Sequence, residues 1–339
     1  MSAWLPTAPC TPGACVTVSE PRAGVAHRVL RLAGCVTILL AGVVATPAVR
    51  ALRWLPTERL VRCWARLLLA SLGVRVRPIG VPGKQVGGSL VVSNHISWLD
   101  IPLVAAVRPG RMLAKTEVGR WPVLGPLTSW GGTIFIDRER LRALPGTVDE
   151  IATALRRGER VVVFPEGSTW CGRVGGRFRP ALFEAAVRAD VPVQPLVLRY
   201  RTAAGPSTAP AFVGEDGLLS SLWRVVSVRG LAAEVEFLPQ LPPALFPGRR
   251  QLATAAQRVV DQRRHPDVPD CAAYTAPTTA AYTVPPTAAY TVPPTAAHPS
   301  ERPAHPSERP AHPSAHPSEQ PVLVPNREDV LRPRAGAAH

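Results

Sequence analysis

The residues whose types and spacing can do chemistry fall in four short stretches. The first runs Ser93-Asn94-His95-Ile96-Ser97-Trp98-Leu99-Asp100. The apolar segment 90–94 reads as a short buried strand, and a helix begins within the next few residues, so His95 sits in a strand-to-helix turn. Ser97 is one candidate cap; Pro102 is more comfortable if the helix starts nearer Asp100, because proline suits a first turn. In a regular helix, positions five apart lie about 140° around from each other, so only the bend can fold the carboxylate back to the imidazole. A histidine held by a carboxylate has its tautomer set and its basicity raised, and it can take a proton from a hydroxyl. His and Asp also meet near strand ends without shared chemistry, and spacing alone leaves both readings open.

The second stretch is GGTIFIDR, 131–138, where a glycine pair opens a strand that ends in Asp137–Arg138. The planar fork of Arg138 can grip a phosphate; a surface pair with Asp137 or Glu139 is the competing reading. The third is VVVFPEGSTW, 161–170. Glu166 at the mouth of a sheet is costly to desolvate unless it is paired or binds something, and Gly167 allows close approach to the backbone. Ser168 raises the thought of a nucleophile, but the segment is not GxSxG. The fourth, VPVQP at 191–195, is a proline-stiffened strand start.

The elements that must position these residues alternate. Strands are expected at 73–79, 90–94, 133–137, 160–165, 191–200 and 233–238, with helices between them and a last helix at 249–263. For the helix at 148–157 the expected start is a capping box of Thr147 and Glu150, and Gly158 ends it. Strands alternating with helices give an α/β sandwich around a largely parallel sheet, whose strand ends are where ligands bind. Four segments follow: a disordered stretch at 1–27, membrane-associated helices at 28–72, the α/β domain at 73–266, and a low-complexity tail at 267–339. In the tail, AAYTAPTT-type octads give way to HPSERPA heptads. The tail has too little apolar bulk for a core and reads as an extended, solvated segment.

The apolar run 32–49 has arginines on both flanks (Arg28, Arg31, Arg50 and Arg53) and is close to the length a bilayer span needs. A secretory signal shares this pattern, but the arginine-rich stretch that follows is unlike an exported mature domain. In 58–72, Arg59, Arg62 and Arg66 line one helix face beside Leu60, Trp64, Leu67, Leu68 and Leu72, as in a helix lying in a membrane interface. Of the net charge of +15, the stretch from Asp270 onward holds five arginines against six carboxylates, or −1, so the first 269 residues carry +16. Such a domain attracts polyanions: an anionic membrane surface, a phosphorylated substrate or nucleic acid. No helix-turn-helix, zinc-finger or RNA-recognition signature supports the last. The six cysteines form no CxxC pair and no Cys/His cluster of zinc-ligand spacing, so they read as reduced, with no metal site.

Taken in order, the four stretches resemble the glycerophospholipid acyltransferase superfamily, especially the 1-acylglycerol-3-phosphate acyltransferases. The matching residues are Asn94-His95 with Asp100, Gly132 through Arg138, Phe164-Pro165-Glu166-Gly167-Ser168, and Val191-Pro192-Val193-Gln194-Pro195. The resemblance implies that His95 is the general base on an acceptor hydroxyl, supported by Asp100. The acyl donor is implied to be acyl-CoA or acyl carrier protein, with no cofactor, no metal and no covalent acyl-enzyme. Asn94, Arg138, Glu166, Gly167, Ser168 and Arg179 are the implied substrate contacts, with Arg138 near the acceptor phosphate. It also implies a lysophospholipid acceptor and a catalytic domain on the cytoplasmic side of the cell membrane. Many members of the family carry an arginine two residues after the FPEG glycine; here that residue is Thr169, followed by Trp170. This departure brings forward an acceptor without a phosphate monoester, such as a lyso-aminolipid. A non-catalytic lipid-binding protein of the same fold is the alternative from a different class.

Overall fold

The structure is a computed structural model and describes residues 8–16, 20–52, 55–80, 87–120, 125, 128, 131–137 and 140–264. The low-complexity tail expected at 267–339 lies outside the described residues. Three helices come first: α1 (Pro12–Cys15), α2 (Val25–Ala51) and α3 (Thr57–Ser71). Then follow β1 (Arg75–Ile79), β2 (Ser89–Ser93), α4 (Asp100–Val107), β3 (Arg111–Lys115) and β4 (Ile134–Ile136). The rest of the domain is α5 (Leu144–Arg156), β5 (Arg160–Val163), α6 (Phe183–Ala189), β6 (Val193–Thr202), β7 (Gly205–Pro206), α7 (Leu218–Ser227), β8 (Ala232–Phe237) and α8 (Arg249–Arg264).

The strands form one mixed sheet in the order β1-β8-β6-β2-β5-β3-β4, with β7 on β6. From β6 to β4 every neighbouring pair is parallel, while β8 runs antiparallel to β6 and parallel to β1. All five residues of β2 are buried, as expected of a central strand covered on both faces. Alternation along β2 divides the core. Val91, with Val162, Leu196 and Leu198, faces one apolar layer that includes Leu69, Leu103 and Val226 of α3, α4 and α7. Leu90 and Val92, with Val161, Val163 and Val197, face a second layer that includes Ile151, Phe183 and Leu252 of α5, α6 and α8.

Two expectations change. Residues 8–16 and 20–27 are placed rather than disordered: Cys10 and Ala23 are buried, and Arg22 bridges the backbone of Val228. Apolar contacts with the rest of the domain supply the ordering energy that composition alone did not reveal. The capping box does not form either. The helix starts earlier, at Leu144–Pro145, and Thr147 lies inside it with its hydroxyl donating to Ala143 O. Proline at the start of a helix has no N–H to leave orphaned, so it competes successfully as a start signal. Gly158 does end this helix, with φ +83°.

Helix α2 holds an apolar stretch, Val25–Val49, long and apolar enough to cross a membrane. Val29, Leu30, Val36, Leu40 and Val44 are exposed along it. Its other side is tied to the domain. Arg31 donates to the carbonyls of Val226 and Val228 at 2.7 and 2.8 Å. The Trp64 indole of α3 donates to Ile38 O at 3.0 Å, over the Cα of Gly42.

Candidate active site

The carboxyl ends of the parallel strands β2, β3, β4 and β5 share one edge of the sheet. The loops that leave β2, β4 and β5 carry His95, Asp137 and Glu166, and Lys115 is the last residue of β3. Asn94 closes β2. Its side-chain Nδ2 donates to Leu198 O at 3.0 Å and its Oδ1 accepts from Leu198 N at 2.8 Å. Expected among the acceptor contacts, Asn94 instead faces the sheet, buried, and its amide continues the β2–β6 ladder by one rung. That rung fixes where the chain leaves the strand, and hence where His95 begins.

His95 Nδ1 lies 2.8 Å from Asp100 Oδ2, with the imidazole 18% exposed and the carboxylate fully buried. The turn supplies the bend: Asp100 is the first residue of α4, and its Oδ2 also accepts from the backbone N–H groups of Ile96 at 2.6 Å and Ser97 at 2.9 Å. Its Oδ1 accepts from the Tyr200 hydroxyl at 2.6 Å. Two of these partners, the backbone N–H groups of Ile96 and Ser97, can only donate, and they share Oδ2 with the imidazole, so that oxygen accepts and Nδ1 of His95 takes the donor role. That assigns the lone pair to Nε2. The ring stacks on Phe164 at the end of β5, with centroids 4.1 Å apart and planes 14° from parallel. Burial, and then the adjacent Asp100 charge, push the Tyr200 phenol well above its ordinary value, so it remains a donor.

Glu166 also looks inward and is 2% exposed. One carboxylate oxygen accepts the backbone N–H of His95 at 3.0 Å and the other accepts from Arg264 at 2.8 Å. Burial pushes its carboxyl up to about 7, against the opposing pull of Arg264 and the His95 N–H. Arg264 reaches it because Arg199, paired with Glu234 and Glu236, also donates to Arg263 O at 2.5 Å and so holds the end of α8. Both oxygens of Glu166 are therefore committed within the protein, one to the His95 turn and the other to Arg264.

Gly167 adopts φ +78°, the left-handed region that glycine enters without strain. The Ser168 hydroxyl is buried with no hydrogen-bond partner among the described residues. Thr169 turns its hydroxyl to Phe212 O, and Trp170 N–H donates to His95 O at 2.8 Å. Arg179 is exposed, and its backbone N–H donates to Pro165 O at 2.9 Å, so it borders the same turn. Arg138 lies outside the described residues; Ile136 ends β4 on the same sheet edge and Asp137 follows it. The structure thus gathers His95, Asp100, Glu166, Gly167 and Ser168 into one turn-on-turn arrangement. Sequence reasoning missed Tyr200 and Arg264. Tyr200 was legible only as the apolar-looking end of a strand, and Arg264 as the last basic residue of a helix.

The mixed α/β sandwich with this edge belongs to an acyl-transferring enzyme: residues 81–199 match the protein family described as Acyltransferase. More narrowly, the chain belongs to the lysophospholipid acyltransferase family. It is 36% identical over 209 residues to a lyso-ornithine lipid O-acyltransferase of Pseudomonas aeruginosa, covering 60% of this chain and 77% of that protein. It is 37% identical over 174 residues to a 1-acyl-sn-glycerol-3-phosphate acyltransferase of Neisseria meningitidis, covering 51% of this chain and 68% of that protein. The fold matches the crystal structure of the 1-acyl-sn-glycerophosphate acyltransferase PlsC from Thermotoga maritima. There the TM-score is 0.53 at 19% identity, over 70% of this chain and 96% of that one.

Proposed function

We propose that the protein transfers a fatty acyl group from acyl-CoA or acyl carrier protein to the hydroxyl of a lysophospholipid, with 1-acylglycerol-3-phosphate as the acceptor and phosphatidic acid as the product. The observation that carries this reading is the His95 Nδ1–Asp100 Oδ2 contact of 2.8 Å, which leaves Nε2 as the basic atom. As the acceptor oxygen attacks the thioester carbonyl carbon, its proton passes to Nε2. The tetrahedral oxyanion then collapses, the carbon–sulfur bond breaks, and His95 returns the proton to the departing thiolate. The products are an ester and a free thiol, and every proton and electron pair is accounted for. Asp100 holds the tautomer and balances the imidazolium that forms between the two steps. Gly167, the Ser168 hydroxyl, Arg138 and Arg179 form the acceptor side, with Arg138 and Arg179 for its phosphate. Neither cofactor nor metal takes part in these proton transfers.

The exposed apolar side of α2 and the basic face of α3, with Arg59 and Arg62, support a proposed seat for the domain on an anionic leaflet, with the cytoplasmic side of the cell membrane as the proposed location.

A second acceptor is favoured by one observation. Thr169 stands where many family members carry a phosphate-binding arginine, and its hydroxyl is turned away to Phe212 O. One relative is named for a lyso-ornithine lipid, which makes an amino-acid-headed lysolipid the rival acceptor.

Membranes holding wild type or His95→Ala, offered labelled acyl-CoA or acyl carrier protein with a panel of lysolipids, test both points. Acylation of lysophosphatidate by wild type, lost by about a hundredfold or more in the variant, supports the reading. Acylation confined to an amino-acid-headed lysolipid replaces the acceptor and keeps the mechanism. Equal activity of variant and wild type overturns the general base.

A further inference from the structure

The cysteines that look scattered in sequence are not scattered in space. The sulfurs of Cys10, Cys15 and Cys171 all lie within 4.8 Å of one another. Cys10 and Cys171 are 3% and 1% exposed, and Cys15 is partly buried. Cys10 precedes and Cys15 ends the single turn of α1, where the Thr11 hydroxyl caps the helix by accepting from Ala14 N–H and Cys15 N–H donates to Thr11 O at 3.0 Å. The turn is seated by close backbone approach. A Cβ on Gly214, which has φ +59°, would come within 3.2 Å of Cys10 O.

Cys171 lies on the loop that leaves the FPEG turn. Its sulfur accepts from the Cys10 thiol first, then from the backbone N–H groups of Val174 and Arg173 and from the Cys15 thiol. Gly172, at φ +89°, turns the chain so that these two amides face back to the sulfur. Amides aimed at a buried sulfur stabilise it as a thiolate, the form that binds metal.

Three sulfurs also fit an ion better than a disulfide, which would leave one of them behind in the same cluster. A tetrahedral ion with metal–sulfur bonds of about 2.3 Å sets its sulfurs about 3.8 Å apart, inside the observed limit. Thiolates select soft ions such as zinc or copper(I) over magnesium or calcium.

We propose that Cys10, Cys15 and Cys171 form a binding site for a thiophilic d10 cation, with zinc as its occupant, which fastens the N-terminal turn to the loop behind the catalytic histidine. The three sulfurs supply three ligands, and solvent reaches the fourth position from the partly exposed Cys15 side. The mechanical link to the active site is one residue long. Cys171 follows Trp170, whose N–H holds His95 O at 2.8 Å. The ion has a structural part here and takes no step in acyl transfer.

The test uses the full chain, purified in detergent under reducing conditions, loaded with zinc and dialysed. Elemental analysis is expected to find about one zinc per chain. That zinc is lost in Cys10→Ser and Cys15→Ser and kept in Cys63→Ser, whose cysteine is exposed on α3. Cobalt loading of the wild type, which needs no substitution, is expected to give the thiolate charge-transfer band and the visible spectrum of a tetrahedral ion. Bound zinc should shield three thiols from alkylation, and a chelator should expose them while lowering the melting temperature. Wild type that retains neither ion with all three thiols free, or a disulfide between any two of them in the reduced and loaded protein, overturns the proposal.

Discussion

Replacing Tyr200 with phenylalanine removes one oxygen atom and no ring packing, so it isolates the hydrogen bond to Asp100 Oδ1, which measures 2.6 Å. Both partners are buried and the acceptor is charged, so the bond contributes about 1.5–3 kcal/mol. Asp100 keeps its contacts with Ile96 N, Ser97 N and His95 Nδ1 through its other oxygen. The imidazole is therefore still held, and kcat/KM is expected to fall about tenfold, the equivalent of about 1.4 kcal/mol. The remainder of the loss appears as reduced stability.

A merely structural tyrosine would produce the second effect without the first. Release of free thiol from acyl-CoA, followed continuously, reads the rate, and thermal unfolding reads the stability. An unchanged rate alongside a lower melting temperature would refute the placing of Tyr200 behind the His–Asp pair.

Asp100→Asn presents an amide where the carboxylate took a hydrogen bond from Nδ1, which favours the wrong imidazole tautomer. A fall in kcat of about 10⁴ is expected in the same assay, far beyond that of Tyr200→Phe. Glu166 titrates in the folded protein at about 7, above its ordinary 4.5, because burial favours the protonated form. The folded state therefore binds that proton more tightly than the unfolded chain. The contribution to stability is complete below about 4.5 and is lost as pH rises through about 7, by about 3 kcal/mol in total. Glu166→Gln, which keeps an acceptor for His95 N–H, should flatten this part of the curve in denaturant titrations; parallel curves for variant and wild type would count against the buried carboxyl. A Cβ at Gly42 would lie 2.5 Å from the Trp64 indole nitrogen. Gly42→Ala should break the Trp64–Ile38 bond and loosen α2 from α3 by about 1–3 kcal/mol, seen as a shift in tryptophan emission.

Much of this protein was legible in one dimension because the relevant physics is local. The apolar run at 160–163, the bend between Asn94 and Asp100, and Gly158 at a helix end are each dictated by neighbouring residues, so strand, turn and stop could be read directly. The His95–Asp100 pair belongs to this class, since five residues and one strand-to-helix turn contain all of its geometry. Competing local signals defeated the reading only where two were present, as with Pro145 against Thr147.

The tertiary structure decided what depends on surroundings distant in sequence. Asn94 and Glu166 look like substrate ligands in their motifs. They turn inward because the β6 backbone and Arg264 offer partners that a buried polar group cannot forgo. Tyr200 joins the His95–Asp100 pair from β6, a hundred residues along the chain from Asp100, because β2 and β6 are neighbours in the sheet. The three cysteines meet only because residues 8–16 pack against the loop after the FPEG turn, a contact that composition at the N-terminus gave no reason to expect. Short-range geometry placed His95 beside Asp100; long-range packing determined which polar side chains support that pair.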